Sequence, residues 1–498
     1  MNTLIRPALL ALAAVLAACG GGASSPIESS SPVVTAPAAP VPAPAAVAFN
    51  GNVLLGAPTT DTVRISVLSP EQTGTVSVAF GTATGNYERQ TVAYALQAGQ
   101  PLEIVLDGLA TNTLYFYRLD FRAGATAQPS ASPEYGFQTA RPAGNRFTFT
   151  IQADSHLDEN SDLDLYRRTL ANVAIDAPDF HIDLGDTFMT EKHSEPLTAV
   201  VRPAADAATV NARYAYERGN FGIATHSTSL FLVNGNHDAE LGWLNDGTAQ
   251  NLASWATQAR QRYFLNPKPG SFYGGDSFSE PIVGQRASWY AWQWGDALFV
   301  ALDPYWDTRT KSSDGWALTL GERQYRWLAE TLSSSRATFK FVFIHSLVGG
   351  LDGQMRGGIE AAPYFEWGGR NADGTAGFEK RRPGWSMPIH QLLVQHGVTA
   401  VFHGHDHLYA RQELDGVVYQ AVPQPSAKNS SSGASLAAAY HYASGTIRSS
   451  AGHLRVNVAP DRVTVQYVRA WLPKDETAQR SNGQVDDAWS VAAPGSMK

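Results

Sequence analysis

The stretch Leu230-Phe231-Leu232-Val233-Asn234-Gly235-Asn236-His237-Asp238 joins a short apolar run to a polar segment. The run from Leu230 to Val233 has the length and composition of a buried strand. Behind it, Gly235-Asn236-His237-Asp238 places an amide oxygen, an imidazole and a carboxylate in a row. Open α/β sheets present their ligand sites at strand ends. This stretch therefore predicts an α/β domain with a polar site at one edge of its sheet.

Two similar junctions lie upstream. A strand predicted at 147–151 leads to Asp154-Ser155-His156, and one at 180–184 leads to Gly185-Asp186. Residues two apart in an extended segment point the same way, so we expect one metal ion to contact both Asp154 and His156. A carboxylate has two oxygens and can bridge two cations, which makes Asp186 a candidate bridge. Taken alone, each motif also fits a solvated turn.

Two further junctions lie downstream. His345 follows the apolar run 341–344, and Gly404-His405-Asp406-His407 follows a strand predicted at 400–402. A lone histidine such as His345 is more often structural, but His405 and His407 again lie two residues apart. Together the five motifs supply the carboxylate, amide and imidazole ligands that borderline metal ions take.

The residues of the central motif have distinct expected roles. Asn236 can bind a metal through its carbonyl oxygen without adding charge. His237 is the natural general acid of the site. Asp238 is a candidate partner that would fix the tautomer of His237 and raise its pKa.

The region beyond residue 146 alternates between strand and helix patterns, which predicts a layered α/β domain. Strands are predicted at 147–151, 180–184, 230–233, 297–302, 339–344, 400–402, 417–422, 453–458 and 463–468, and helices at 165–175, 322–332 and 387–396. Two sheets packed face to face and flanked by helices would accommodate this order.

In this order the five motifs resemble those of the calcineurin-like metallophosphoesterases. The resemblance implies a four-layer αββα domain over 146–472 and a binuclear hydrolase of phosphate esters, in which a hydroxide bridging the metals attacks phosphorus. It implies one metal held by Asp154, His156, Asp186 and His407, and a second held by Asp186, Asn236, His345 and His405. A phosphomonoesterase is the expected activity; a phosphodiesterase acting on nucleotides or lipid headgroups and a non-catalytic binding lipoprotein are the alternatives.

The sequence departs from the purple acid phosphatases at the first metal. Those enzymes carry a tyrosine three residues after the bridging aspartate and a glycine at the position of His156. Here Met189 takes the place of that tyrosine, so no tyrosinate can bind iron. Fe, Mn and Zn all remain open as metals.

The region 47–140 reads as short strands with period-two alternation and no helical period. It resembles a fibronectin type III sandwich and the N-terminal domain of purple acid phosphatases, with Tyr115 as the candidate corner tyrosine. The boundary between this domain and the next is expected at 139–144, and residues 473–498 are expected to form a polar tail.

The N-terminus has the pattern of a bacterial lipoprotein. Residues 1–19 hold a short basic start, an apolar run and Leu16-Ala17-Ala18-Cys19, which resembles a lipobox with Cys19 as the lipidated residue. Residues 20–46 are rich in Ser, Pro and Ala and are expected to be a flexible tether. Gly20 stands where an aspartate would signal inner-membrane retention, so an outer-membrane anchor is favoured.

Composition excludes some functions. The formal net charge of -8 and the absence of a basic cluster argue against nucleic-acid binding, beyond a nucleotide as substrate. The glycine-rich stretch 346–385 follows His345, and its Arg356 and Arg370 are candidates for holding a phosphate group. A solvated lid without substrate contact is the alternative for that stretch.

Overall fold

The computed structural model describes residues 46–125, 127–190, 206–350 and 356–494. The lipobox with Cys19, and the tether up to residue 45, lie outside these residues. Within the described ranges, no helix combines the length and the apolar character needed to cross a bilayer.

The N-terminal part is built from short strands. These are β1 (Asn52–Gly56), β2 (Val63–Leu68), β3 (Gly74–Gly81), β4 (Arg89–Gln90), β5 (Tyr94–Leu96), β6 (Leu102–Leu106), β7 (Leu114–Arg122), β8 (Ser130–Ala131) and β9 (Tyr135–Gln138). Strands β1, β2 and β6 pack against the sheet around β3 and β7 through a shared apolar core. The predicted β-sandwich is therefore present, and Ala110 N–H donates to the hydroxyl of Tyr115 at 2.9 Å, the backbone contact expected of that tyrosine.

The remaining chain alternates strands and helices. The elements are β10 (Phe147–Gln152), α1 (Leu163–Asp176), β11 (Phe180–Asp183), α2 (Ala207–Thr225), β12 (Ser229–Leu232), α3 (Leu252–Tyr263), β13 (Gly274–Gly275), β14 (Ser279–Glu280), β15 (Gly284–Gln285), β16 (Tyr290–Trp294), β17 (Ala297–Ala301), α4 (Gly321–Ser334), β18 (Phe339–Ile344), α5 (Phe365–Gly368), α6 (Phe378–Arg381), α7 (Ile389–Gln395), β19 (Ala400–His403), β20 (Tyr409–Leu414), β21 (Val417–Ala421), α8 (Gly433–Ala439), β22 (Thr446–Arg448), β23 (Gly452–Ala459), β24 (Arg462–Arg469) and β25 (Val485–Ala492).

Two sheets face each other in this part. One has the strand order β25-β24-β23-β10-β11-β12-β1-β2-β6, and the other β13-β16-β17-β18-β19-β21-β20-β22. Aromatic side chains from both sheets, among them Phe149, Phe180 and Phe299, form the core between them. Helices α1, α2 and α3 cover the outer face of the first sheet, and α4 and α7 cover that of the second. The predicted four-layer αββα architecture is confirmed.

The N-terminal sandwich is continuous with the nine-stranded sheet, a connection that the sequence did not predict. Strand β1 pairs in parallel with β12 at Gly56 and Leu230 and thereby carries β2 and β6 into the same sheet. The Tyr117 hydroxyl also donates to the carbonyl of His226 at 2.6 Å, just after α2. The N-terminal strands are thus fixed to the helix layer beside the site.

The expectation of a polar tail from residue 473 is wrong for residues 485–492. These residues form β25, which pairs antiparallel with β24 at the edge of the first sheet. Trp489 lies in the core between the sheets, and its indole N–H donates to Gln420 Oε1 at 2.9 Å. One buried aromatic residue therefore anchors a strand whose other side chains are mostly small or polar.

Candidate metal centre

The five motifs meet at one edge of the two sheets. Strands β10, β11 and β12 are parallel neighbours in the first sheet, and β18 and β19 are parallel neighbours in the second. Parallel strands end at the same edge, so the segment after each strand opens onto a common cleft. The sequence prediction that the motifs share one site agrees with this geometry.

Asp154, His156 and His407 form the first cluster; one ligand atom of each lies within 4.8 Å of the others. Asp154 Oδ1 is 3.7 Å from His156 Nε2 and 3.5 Å from His407 Nε2. The rings of His156 and His407 meet edge to face, with centroids 4.5 Å apart. Three potential ligand atoms thus converge on one point from strands of opposite sheets.

Asp186, His345 and His405 form the second cluster, defined by the same spacing. Asp186 Oδ2 lies 3.1 Å from His345 Nε2 and 3.5 Å from His156 Nε2. One carboxylate oxygen therefore stands between an imidazole of each cluster. Asp186 is the residue that can connect the two.

Several buried polar atoms here have no hydrogen-bond partner. His345 Nδ1 lies 2.7 Å from the Leu184 carbonyl, which fixes Nδ1–H as the donor and leaves Nε2 buried without a hydrogen bond. Asn236 Oδ1 is likewise buried and unbonded, as is His156 Nε2. Leaving such atoms unsatisfied costs about 1–3 kcal/mol each. Bound cations would satisfy all three atoms, so the donor set fits metal binding.

Five of the candidate ligands do not lie in extended backbone, which corrects the sequence prediction for Asp154-x-His156 and His405-x-His407. They adopt the left-handed region instead, with φ of 63° at Asp154, 51° at His156, 53° at Asp186, 72° at His405 and 57° at His407. Each such residue costs about 1–3 kcal/mol and persists only where surrounding structure enforces it.

Hydrogen bonds between the loops enforce this geometry. Asp154 N–H donates to the Gly185 carbonyl at 2.8 Å, and His156 N–H donates to the Asp186 carbonyl at 3.0 Å. His405 N–H donates to both carboxylate oxygens of Asp154. The loop after β11 also runs so close to Gly235 that a Cβ there would lie 2.2 Å from the Asp186 nitrogen. Only glycine fits at that position.

The buried carboxylates and imidazoles of the two clusters shift each other's pKa. Burial alone would raise the pKa of Asp186, but the facing His345 and His237 imidazoles outweigh burial and hold the pKa well below its ordinary value. Burial alone would lower the pKa of His345, but Asp186 and Asp154 raise it to about 9. Without metal, these interactions favour protonated His156 and His345 beside the carboxylates, whereas burial lowers the pKa of His405 and His407. Bound cations would replace those protons.

Asp238 does not act on the ring of His237, which corrects the sequence prediction. Its two oxygens accept four backbone N–H bonds, from Asp186 at 3.0 Å, Thr187 at 2.9 Å, Phe188 at 2.9 Å and Gly235 at 2.7 Å. Among the described residues, no hydrogen bond joins the Asp238 carboxylate to the His237 ring. Asp238 therefore anchors the loop after β11 to the loop after β12.

His237 lies on the wall of the cleft. Its backbone N–H donates to Asp186 Oδ1 at 2.7 Å, which ties its position to the candidate bridging carboxylate. Its half-buried ring lines the cleft, with its centroid 5.4 Å from that of His156. This places an imidazole beside the clusters and toward the space that a substrate would occupy.

The cleft has a volume of about 590 Å³ and extends well beyond the candidate ligands. Arg356 lines it, as the sequence suggested; its guanidinium bonds Asp406 Oδ1 and lies 3.8 Å over the Tyr440 ring. Arg370 is exposed and is not part of the cleft lining, so that prediction is wrong. Its carbonyl accepts from Phe365 N–H in a local turn.

The far wall of the cleft comes from residues after β21 that sequence reasoning missed. Lys428, Ser430, Ser431 and Ser435 line this wall. The segment is tied to the loop after β10, since Asp162 N–H donates to the Ser426 carbonyl at 2.8 Å. A serine run with one lysine has no motif signature, and only the fold brings it to the site.

Comparison with known proteins gives a consistent result. The sequence profile described as calcineurin-like phosphoesterase matches residues 147–409, a range that includes every residue of both clusters. The structure is similar to that of PhoD, with 13% sequence identity and a TM-score of 0.63 over 90% of this chain and 92% of that chain. It is also similar to purple acid phosphatase PPD1 from yellow lupin (Lupinus luteus) seeds, with 15% identity and a TM-score of 0.57 over 88% of this chain and 74% of that chain. At these identities the likeness concerns the fold. No curated protein matches the sequence.

Proposed function

The chain belongs to the calcineurin-like phosphoesterase family and is a phosphoesterase, and we propose that it is a phosphomonoesterase working with two metal ions. One observation carries the metal proposal. His345 Nε2 and Asn236 Oδ1 are buried without hydrogen-bond partners, in the site that holds two carboxylates. A buried imidazole nitrogen and a buried amide oxygen that lack hydrogen bonds are costly beside two buried carboxylates unless a cation binds them.

The two clusters suggest how the ligands divide. We assign Asp154, His156, Asp186 and His407 to one ion and Asp186, Asn236, His345 and His405 to the other. Asp186 is shared because its Oδ2 lies within 3.5 Å of His156 Nε2 and 3.1 Å of His345 Nε2. When bound, such a pair of ions supplies an activated water as nucleophile and neutralises charge on the phosphoryl group. Fe, Mn and Zn all suit this donor set.

His237 is the proposed general acid. Its backbone is held by Asp186, while its ring faces the cleft rather than the cluster interior. From there the imidazolium can donate a proton to the leaving alkoxide oxygen. General acid catalysis of this kind contributes about 10²–10⁴-fold in rate.

The shape of the cleft bears on the substrate. A volume of about 590 Å³ accommodates a phosphate group together with an organic leaving group. Lys428 and the neighbouring serines supply donors on the wall where that leaving group would lie. The same volume would admit a second ester substituent, which keeps a phosphodiesterase as the alternative. Hydrolysis rates for p-nitrophenyl phosphate and bis-p-nitrophenyl phosphate decide between them, the proposal requiring the monoester to be faster.

The metal and acid roles are tested separately. A chelator should abolish hydrolysis by the purified protein, and added Mn or Zn should restore it. His237→Ala should keep the full metal content and lose more activity on an alkyl phosphate than on p-nitrophenyl phosphate, because the poorer leaving group needs the proton more. Undiminished rates on both substrates would remove His237 from the mechanism.

We propose that lipid on Cys19 anchors the protein in the bacterial cell envelope, with the outer membrane favoured. The support is the lipobox-like sequence ending at Cys19 and the Ser/Pro/Ala-rich tether that follows it. Metabolic labelling with a radioactive fatty acid tests the anchor, using Cys19→Ser as the control. Equal labelling of both proteins, or of neither, would contradict it.

A further inference from the structure

Helix α2 carries a buried arginine that touches the metal-site loops. The Arg213 side chain is 1% exposed, and its Nη2 donates to the carbonyls of His156 at 2.5 Å and Thr187 at 3.3 Å. Glu217, one helical turn later, places Oε1 at 2.9 Å from the same nitrogen. The guanidinium is thus held by its own helix while it contacts two loops.

The two carbonyls belong to loops that carry different candidate ligands. One is the carbonyl of His156 itself, and the other is the carbonyl of Thr187, the residue after Asp186. His156 and Leu157 both adopt left-handed backbone, with φ of 51° and 56°. The carbonyl held by Arg213 lies between these two strained residues. A charged donor at that point offsets part of the roughly 1–3 kcal/mol that each conformation costs.

The next residue of α2 extends the same contact surface. The Tyr214 ring stacks on Phe188 with centroids 3.8 Å apart, two residues beyond Asp186. Its hydroxyl donates to the carbonyl of Asp238 at 3.4 Å. One turn of α2 therefore contacts the loops after β10, β11 and β12. The remaining buried arginine of α2 behaves differently: Arg218 bonds Asn52 and Ser66 in the N-terminal strands and touches none of these loops.

We propose that Arg213 is a positioning residue for the metal ion assigned to Asp154, His156 and His407. By holding the carbonyls of His156 and Thr187, Arg213 fixes the direction of the His156 imidazole relative to Asp186. The inference rests on the proposed metal site. Groups that orient a metal ligand typically change metal affinity by about 10–100-fold when removed.

The test variant is Arg213→Met combined with Glu217→Gln. Removing the arginine alone would leave a buried carboxylate without its partner, which by itself destabilises strongly. The paired change keeps the buried volume and removes both charges. Arg218→Met is the matched control, because Arg218 is equally buried on the same helix. Arg213→Lys is the conservative variant: it retains the charge toward Glu217 but lacks the rigid planar guanidinium that directs Nη2 at both carbonyls.

The first readout is calorimetric titration of the ion-free proteins with Mn²⁺. His156→Ala identifies which binding step belongs to the first ion. The double variant should weaken that step by about 10–100-fold and leave the other step nearly unchanged. Arg213→Lys should show a smaller loss, and Arg218→Met none. Unchanged affinity in the double variant, or equal weakening of both steps in all variants, would overturn the positioning role.

The second readout needs no metal. Hydrogen–deuterium exchange of the ion-free double variant should be faster in the segments 154–158 and 185–188, while Arg218→Met leaves them at the parent rate. Parent-like exchange in the double variant would overturn the proposal. Failure of the unaltered protein to bind two ions would instead refute the proposed metal site, and the exchange data would still report on whether Arg213 holds the loops.

Discussion

Replacing Asp238 by asparagine separates two roles that the sequence alone could not distinguish. In the structure Asp238 is an anchor whose carboxylate accepts four backbone N–H bonds. Asparagine has the same shape but offers one oxygen and one NH₂ group. Two of the four N–H groups would then face a donor, and the anchor would lose its charge.

The size of the effect follows from those contacts. A hydrogen bond to a charged group contributes about 1.5–3 kcal/mol net, so the loss of two predicts a fall of about 3–6 kcal/mol in the free energy of unfolding. The N–H groups of Asp186 and Gly235 are the ones bonded to Oδ2, so either orientation of the amide leaves one pair of loop amides unsatisfied. Local rearrangement would bring the value toward the lower end.

Urea denaturation of the ion-free protein measures this change, with His237→Ala as the control. The control should differ from the parent by less than about 1 kcal/mol, because its half-buried side chain lies on the wall of the cleft and outside the apolar core. The anchor assignment is refuted if Asp238→Asn unfolds like the parent yet shows the same larger loss of activity on the alkyl phosphate as His237→Ala. That result would return Asp238 to the role of proton-transfer partner.

Three further outcomes are expected. Burial alone would raise the pKa of Glu240, but Arg260 and Arg286 lower it from 4.5 to about 2. The ionised Glu240 carboxylate therefore contributes its full stabilisation above pH 4.5, and this stabilisation is lost as the pH falls toward 2. Glu240→Gln should lower the free energy of unfolding by about 3–5 kcal/mol at neutral pH. In urea titrations the difference from the parent should shrink between pH 4.5 and 2, and a difference that does not depend on pH would contradict the ion-pair account. Asp186→Asn should reduce metal content at both sites by elemental analysis, and full occupancy would refute a bridging role. Protein reconstituted with iron should lack the tyrosinate charge-transfer band in its visible spectrum, because Met189 replaces the tyrosine, and a purple product would contradict this.

The positions of the site residues could be predicted because apolar runs and polar strand ends are local features. The runs at 147–151 and 180–184 match β10 and β11 closely, and the residues behind them converge in the cleft. The carboxyl ends of neighbouring parallel strands lie at the same edge of the sheet, whatever the conformation of the loops that follow them. A prediction of which motifs meet therefore needs only the strand assignment and the fold class.

The backbone shape of the ligand loops could not be predicted. Left-handed φ is uncommon at any non-glycine residue, although aspartate and histidine adopt it more often than most, and here hydrogen bonds between loops distant in sequence enforce it. The role of Asp238 was missed for the same reason. Its partners are main-chain amides 50 to 52 residues away, apart from Gly235. Main-chain amides are present at almost every position, so the sequence does not reveal which of them a side chain will bind.

Helix α2 was not predicted from the sequence, because its buried face contains charged residues. Arg213, Glu217 and Arg218 occupy positions on its inner face, where an amphipathic helix would show apolar residues. These charges are paired or bonded across the helix–sheet interface, which becomes visible only in three dimensions. Arg370 failed as a candidate for the opposite reason, since closeness in sequence to His345 did not bring it to the cleft.

The central claim is that Asp186 joins two metal ions in one catalytic site. A crystal of the full chain soaked in Mn²⁺ and measured at the manganese absorption edge tests this directly. We predict two anomalous peaks, one against Asp154, His156 and His407, the other against Asn236, His345 and His405, with Asp186 contacting both. A single peak, or none, in crystals of protein that hydrolyses p-nitrophenyl phosphate would contradict the account.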